Sequence, residues 1–313
     1  MKHVSAKASL SHEERTAAEP RDKGLHPVTI RDITPVNERI RLFKLSAVNA
    51  RGIKFLPGQW LDVYMPNISK AGGFTVTSSP RYGASTSGTE ESVPFVELAI
   101  QKSPENPVAA WLWRAHQDIL GTVLNVRVGG SFVWPPPGMD EESVTRAVFV
   151  AGGVGINPLM SMITHICEDT SSKAHIHLSY STKMPSSHSE QHQILFLDRI
   201  VRLFSNRGSS CSLDLHITGT WDGSKLPQAT ELARQLMISD PQSGGASFNL
   251  PATSVHQTRI SMQSLQEAIG PEEGRATSVY YVCGPPNMTD STVEQLRGTP
   301  GIRPERVYCE KWW

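Results

Sequence analysis

The chain has 313 residues, enough for two domains of ordinary size. Thirty Lys and Arg balance thirty Asp and Glu, so neither nucleic acid nor an acidic membrane surface is an expected partner. Four cysteines, Cys167, Cys211, Cys283 and Cys309, are widely spaced, which disfavours a disulfide framework, a zinc site or an iron–sulfur cluster and suits buried, reduced thiols in an intracellular protein.

Residues 1–23 lack the apolar core of a secretory signal, and Glu13, Glu14 and Glu19 make a poor mitochondrial transit peptide. They read as a flexible tail with no clear targeting segment, leaving a cytoplasmic or mitochondrial location open. Residues 24–142 hold six short β-type runs: Val28–Ile33, Arg39–Leu45, Gln59–Met65, Phe74–Thr77, Phe95–Gln101 and Thr122–Val128. Pro, Gly and Ser clusters separate them, which predicts a six-stranded antiparallel barrel. Gly83–Glu91 reads as a surface loop, and Pro107–Trp113 as a helix with proline at its start.

The run Pro135-Pro136-Pro137-Gly138-Met139-Asp140-Glu141-Glu142 marks a boundary. In residues 143–313 strands alternate with helices, which predicts a parallel-sheet α/β domain covered on both faces. The strands are Arg146–Val150, His175–Tyr180, Leu213–Thr218 and Ser278–Cys283. Helical spacing falls at Leu159–Cys167, Ile194–Phe204, Glu231–Met237, Met262–Ile269 and Thr289–Leu296. Ser239–Gln257 is polar and rich in Gly and Ser, and reads as a long loop.

The stretch from Arg146 to Met160 carries the chemistry. An apolar strand runs into Gly152, Gly153 and Gly155, then into Asn157 as a helix cap and Pro158 in the first turn. Strand, glycine turn and helix start make a site where backbone N–H groups can face an anion, and a diphosphate is the natural one. Two plainer readings compete. Ala147 to Cys167 carry no charged residue, as a membrane span would, but three glycines and Asn157-Pro158 near the middle argue against one. A βα turn with no ligand is the other. The usual dinucleotide fingerprint is incomplete, because Pro158 stands at the third glycine position. No acidic residue ends the next strand at Ser179-Tyr180-Ser181-Thr182-Lys183 either, which disfavours an ordinary Rossmann dehydrogenase.

Four more stretches follow an order that resembles the ferredoxin–NADP reductase family. Phe55-Leu56-Pro57-Gly58-Gln59-Trp60 is similar to the run before that family's flavin strand, and Phe74-Thr75-Val76-Thr77-Ser78-Ser79-Pro80 stands where the flavin motif falls. Cys283-Gly284-Pro285-Pro286-Asn287-Met288 matches the nicotinamide-side motif, and Tyr308-Cys309-Glu310-Lys311-Trp312-Trp313 the terminal acidic–aromatic strand. The resemblance spans about Pro27 to Trp313.

The resemblance implies a flavin-dependent oxidoreductase passing hydride from NAD(P)H to bound FAD, with FMN the alternative. The electron acceptor, a protein, quinone, metal complex or oxygen, is not legible. Thr75, Cys283 and Glu310 would serve the reaction: a hydroxyl near the flavin, a contact shaping the nicotinamide pocket, and a polar group near the rings. Phe74 would cover a flavin face, Val76 and Thr77 would line its edge, and Pro107 and Val108 would begin a helix facing its phosphate. Gly152, Gly153, Val154, Gly155, Ile156 and Asn157, with Gly284 and Pro285, would hold the nicotinamide nucleotide. Trp313 would stack on the flavin.

The sequence departs from the family where Gly72 replaces the phosphate-binding arginine and Ala109 stands near the helix-start serine. Lys183, where the resemblance places the adenosine ribose, and Arg259, read as starting a helix, could meet a 2′-phosphate or merely face solvent, and no basic cluster stands out, so NADH is preferred over NADPH. The missing arginine also leaves a second reading open, a non-catalytic nucleotide-binding or protein-interaction scaffold.

Overall fold

The computed structural model describes residues 11–49, 51–84, 93–184, 194–219 and 252–311. The chain divides into two compact units, the first drawn chiefly from residues up to Pro137 and the second chiefly from Gly138 onward.

In the first unit six strands pair antiparallel: β1 (His26–Asn37), β2 (Ile40–Ala47), β3 (Trp60–Tyr64), β4 (Gly72–Thr75), β5 (Phe95–Gln101) and β6 (Val123–Gly129). Their order is β4-β3-β6-β1-β2-β5. An antiparallel bridge between Val76 and Leu98, with the Thr77 N–H donating to the Glu97 carbonyl at 2.8 Å, brings the chain beyond β4 onto β5. The predicted six-stranded barrel is present. Alternate residues of the strands point inward, as the period of two requires: Val28 and Ile30, Phe43 and Leu45, Leu61 and Val63, Val96, Leu98 and Ile100, Leu124, Val126 and Val128. Val108, Ala109 and Leu112 of the helix Pro107–Leu112 join this core.

The tail needs correction from Ser11 onward. Ser11 and Glu14 form a capping box that starts the short helix His12–Arg15. The His12 Nε2 lies 3.1 Å from Asp62 Oδ1, and its ring meets Trp60 edge-on at 4.6 Å. Arg21 Nε bonds Asp62 at 3.0 Å, and Arg127 bonds the same carboxylate at 2.7 and 2.9 Å. Asp62 is fully buried. Burial pushes its carboxyl up, but hydrogen bonds from His12, Arg127 and Arg21 outweigh that, and the net shift is downward. A polar-looking tail thus covers the outer face of β3 and β4.

In the second unit six parallel strands form one sheet: β7 (Arg146–Gly152), β8 (His175–Lys183), β9 (Cys211–Thr218), β10 (Ala252–His256), β11 (Ser278–Cys283) and β12 (Val307–Glu310). Their order is β10-β9-β8-β7-β11-β12. Ala147 to Ala151 and Val279 to Cys283 are fully buried, as central parallel strands covered on both faces demand. On one face Leu265, Ala268 and Ile269 of the helix Met262–Ile269 pack with Val293 and Leu296 of the helix Pro286–Gly298 around Val148, Val150, Tyr280 and Val282. Aromatic rings of registered neighbours, Phe149, Tyr281 and Tyr308, stack at centroid distances of 5.6 and 5.1 Å.

The end of the expected loop Ser239–Gln257 is instead strand β10, paired in parallel with β9 from Ala252 to His256. It is a part-exposed edge strand, so it lacks the apolar run that marks a buried one. The start of that loop and the expected helix Glu231–Met237 lie outside the described residues.

Candidate functional site

In the second unit the chain turns back on itself at one point. From β7 it builds outward through β8, β9 and β10, then returns to lay β11 and β12 on the other side of β7. Ligands of open parallel sheets bind outside the carboxyl ends of the strands at such a reversal. The predicted nicotinamide-side residues lie there. Gly152 ends β7, Cys283 ends β11 beside Ala151, and Glu310 ends β12 beside Cys283.

The glycines have distinct duties. Gly153 has φ +54 and open space where a side chain would begin, so it supplies a left-handed turn that a ligand can approach. Gly155 is packed. A Cβ there would stand 2.2 Å from the Cys283 carbonyl oxygen and 2.7 Å from the Gly284 nitrogen. A Cβ on Gly152 would meet Pro285 Cδ at 2.6 Å and Met288 Sδ at 2.7 Å, and one on Gly284 would lie 3.0 Å from Gly152 Cα. The two glycine motifs therefore interlock backbone against backbone. Thr289 braces the second, its hydroxyl donating to the Gly284 carbonyl at 3.1 Å.

One expectation is corrected. Gly153–Gly155 form a single 3₁₀ turn that runs directly into the helix Ile156–Glu168, and the Ile156 N–H donates to the Gly153 and Val154 carbonyls. Asn157 is therefore inside the first turn and buried, not the cap. Glycine can make this tight entry without a capping side chain. Ile156 is also buried, and Val154 is half-buried. Cys283 is fully buried and Glu310 half-buried. Lys183 is exposed at the end of β8. Arg259 is exposed in the link after β10 rather than at a helix start, because that helix opens at Met262 behind a Ser261 cap.

In the first unit β4 is the first strand of the sheet order and pairs with β3 so that Thr75 faces Trp60, Phe74 faces Leu61, Gly73 faces Asp62 and Gly72 faces Val63. Thr75 is buried at 6% exposure, and Phe74 is half-buried against the barrel core. Gly73 carries no Cβ because the His12 ring fills that place, its nearest atom coming closer than any side chain allows.

Several flavin-side expectations are corrected. A Cβ on Gly72 would fall 2.7 Å from Phe74 Cε2 and 2.8 Å from Val108 Cβ, so the missing arginine has no room there. The helix start at Pro107 does not offer its N–H groups. Pro107 has none, and those of Val108 and Ala109 donate to the Asn106 side chain at 3.1 and 3.2 Å. The Val76 N–H is spent on the Gln59 carbonyl at 3.0 Å. The Thr77 hydroxyl is fully buried on Glu97, 2.8 Å from Oε1. Trp313 lies outside the described residues. Of the flavin-side set, Phe74 and Thr75 keep side chains not bound up in such contacts.

The fold, a six-stranded antiparallel unit followed by a six-stranded parallel-sheet unit, is similar to that of ferredoxin reductases. Residues 144–296 match the family model for the ferric reductase NAD binding domain. Oxidoreductase NAD-binding domain-containing protein 1 of Danio rerio is 29% identical over 318 residues, covering 99% of this chain and 100% of that protein. Among solved structures, a ferredoxin reductase in carbazole 1,9a-dioxygenase has a TM-score of 0.61 at 14% identity, covering 93% of this chain and 70% of its own. The flavohem-like FAD/NAD binding domain of nitric oxide dioxygenase from Vibrio cholerae has a TM-score of 0.60 at 13% identity, covering 91% and 97%. The resemblance read from the motifs is borne out, and the two structural likenesses carry the fold alone.

Proposed function

We propose that the chain is a flavin-dependent oxidoreductase that takes hydride from NAD(P)H and passes electrons onward through bound FAD. The interlocked glycine turns at the strand-order reversal carry this reading, because an open glycine beside a packed one suits a diphosphate laid on the backbone. The nucleotide would be held by Gly152 to Asn157, with Gly284 and Pro285 forming the neighbouring wall. The buried Cys283 shapes that wall rather than reacting, and Glu310 is the polar group nearest it in register. Lys183 is exposed at the end of β8 and Arg259 after β10, and the preference for NADH over NADPH rests on the sequence, where no basic cluster stands out.

On the first unit, Thr75 and Phe74 fit the ring end of a flavin. The phosphate end fits poorly, since Gly72 has no room for an arginine and Asn106 takes the helix N–H groups. A bound flavin supplies a two-electron acceptor that releases electrons singly or in pairs. The poor phosphate fit favours weak FAD binding. It also supports a second reading, a nucleotide-binding scaffold without flavin. The flavin absorbance that the protein retains above the free level in equilibrium dialysis against excess FAD separates the two. Retained flavin absorbance upholds the oxidoreductase, and a colourless protein that still binds NADH upholds the scaffold.

A further inference from the structure

His177 is the third residue of β8, and Ser212 and Asp214 are the second and fourth of β9. Register sets His177 opposite Ser212 and Ser179 opposite Asp214, and alternation puts all four on one face of the sheet. The His177 Nδ1 lies 2.8 Å from the Ser212 Oγ. Its Nε2 lies 3.2 Å from Asp214 Oδ2 and 3.1 Å from the Ser179 Oγ. Burial pushes the Asp214 carboxyl up, but the hydrogen bond from His177 and the other imidazoles nearby outweigh that, and the net shift is downward. An ionised carboxylate only accepts, so the ring proton sits on Nε2 and Nδ1 is left to accept from Ser212. Serine, imidazole and carboxylate thus form one chain of hydrogen bonds. His177 is buried, whereas Ser212 is part-exposed. Beside them on the edge strand β10, Ala252 stands opposite Ser212 and Ser254 opposite Asp214, and both are exposed. Small exposed neighbours leave the serine approachable from that side.

We propose that Ser212 is an activated nucleophile that takes the acyl group of carboxylic esters with good leaving groups, with His177 as its base and Asp214 as the positioning carboxylate. The site stands apart from the glycine turn, which follows the last residue of β7, whereas His177 faces Val148, the third. The reaction needs neither flavin nor nicotinamide. Ser212 Oγ attacks the carbonyl carbon while its proton passes to His177 Nδ1. The bond from that carbon to the leaving oxygen then breaks, and the leaving group takes the proton from Nδ1. Water attacks the acyl-serine by the same route, again giving its proton to Nδ1. Serine leaves as the new alcohol and regains that proton. One ester and one water become one acid and one alcohol. A general base of this kind contributes about a hundred- to ten-thousandfold. That suits esters whose alcohol departs readily and falls short for amides.

The test incubates the full chain with an alkyl fluorophosphonate, which follows the first half of that reaction and stops there. The serine oxygen displaces fluoride from phosphorus, and the bond formed resists water. Peptide mapping should find one phosphonyl group, on Ser212. The protein should also hydrolyse nitrophenyl acetate, and Ser212→Ala should bring that rate down to the rate of the denatured chain. His177→Gln should slow labelling about a hundredfold, the least expected for a lost general base. Asp214→Asn should shift the midpoint of labelling rate against pH downward, because the imidazolium loses the carboxylate that favours it. The other titratable groups on this face, Arg146, His175, His216 and His256, are the same in both proteins. Absence of any adduct after a dose that saturates a serine-hydrolase control would overturn the proposal. So would an adduct elsewhere with Ser212 untouched, or an unmoved midpoint in Asp214→Asn. Should a variant fail to fold, the peptide map of the unaltered chain decides alone.

Discussion

Gly155 and Gly153 stand two positions apart in one turn, yet a methyl group added to each should have a different effect. At 155 it would strike the Cys283 carbonyl, a backbone atom that cannot swing aside. Gly155→Ala should therefore cost about 1–3 kcal/mol of stability, the range for overpacking, and lower the melting temperature with or without nucleotide. At 153 the methyl meets open space, and only the left-handed backbone resists it, by about 1 kcal/mol. Gly153→Ala should leave the protein folded and weaken NADH binding by tenfold or more in a calorimetric titration. Unchanged affinity there would make the turn structural only. Thr75 makes a separate case. Thr75→Val keeps shape and burial while removing one hydroxyl, so it should slow NADH-driven flavin bleaching about tenfold, near 1.4 kcal/mol, with flavin affinity little changed. A normal rate would reduce Thr75 to a strand residue.

Pairs of elements set the pH limits. His216 on β9 is buried and stacked on His256 of β10 at 4.5 Å. Burial first, then the neighbouring His256, push its imidazole down from 6.5 to about 4. A base with a lowered folded value stays neutral in the fold while the unfolded chain takes up a proton. Its stability is thus whole above pH 6.5 and declines as pH falls toward 4, by about 3 kcal/mol at most. His216→Phe should flatten that decline in urea melts run across this range. An equal slope in the variant would contradict the assignment. Asp62 acts lower on the scale. Its carboxyl lies below 3.8, so the stability it lends the barrel persists above that value and is lost as acid protonates it. Asp62→Asn strands Arg21 and Arg127, which keep some solvent access, and should cost about 2 kcal/mol near neutrality.

The same elements show what the sequence could disclose. Strands with apolar alternation or solid apolar runs, and the helix Met262–Ile269 with its Ser261 cap, are written in local periodicity. β10 is not, because Ala252–His256 sits at an edge where burial is too slight to select apolar residues. The helix at His12 was hidden for the opposite reason. Its ordering comes from Asp62, Trp60 and Gly73, partners about fifty to sixty residues away that no local pattern reveals. The nicotinamide-side motifs were legible because close backbone approach demands glycine. On the flavin side the Asn106 cap could have been read from Asn-Pro before a helical run. It would have shown that those N–H groups were already engaged.

For the whole molecule, the sites proposed on the barrel unit and on the parallel-sheet unit are of unequal completeness. In the second, the glycine turns proposed for the nucleotide interlock closely. The first keeps Thr75 and Phe74 but lacks a phosphate anchor at Gly72 and at the helix Pro107–Leu112. A protein built this way should bind NADH more readily than FAD, and adding FAD should raise its melting temperature only at high FAD concentration. The most direct test of the central claim is anaerobic titration of the FAD-incubated, full-length protein with NADH, followed by the flavin absorbance band. Stoichiometric bleaching of bound flavin, faster than that of free FAD under the same conditions, is the predicted result. A band that NADH leaves unchanged, in a protein shown to hold both nucleotides, would contradict it.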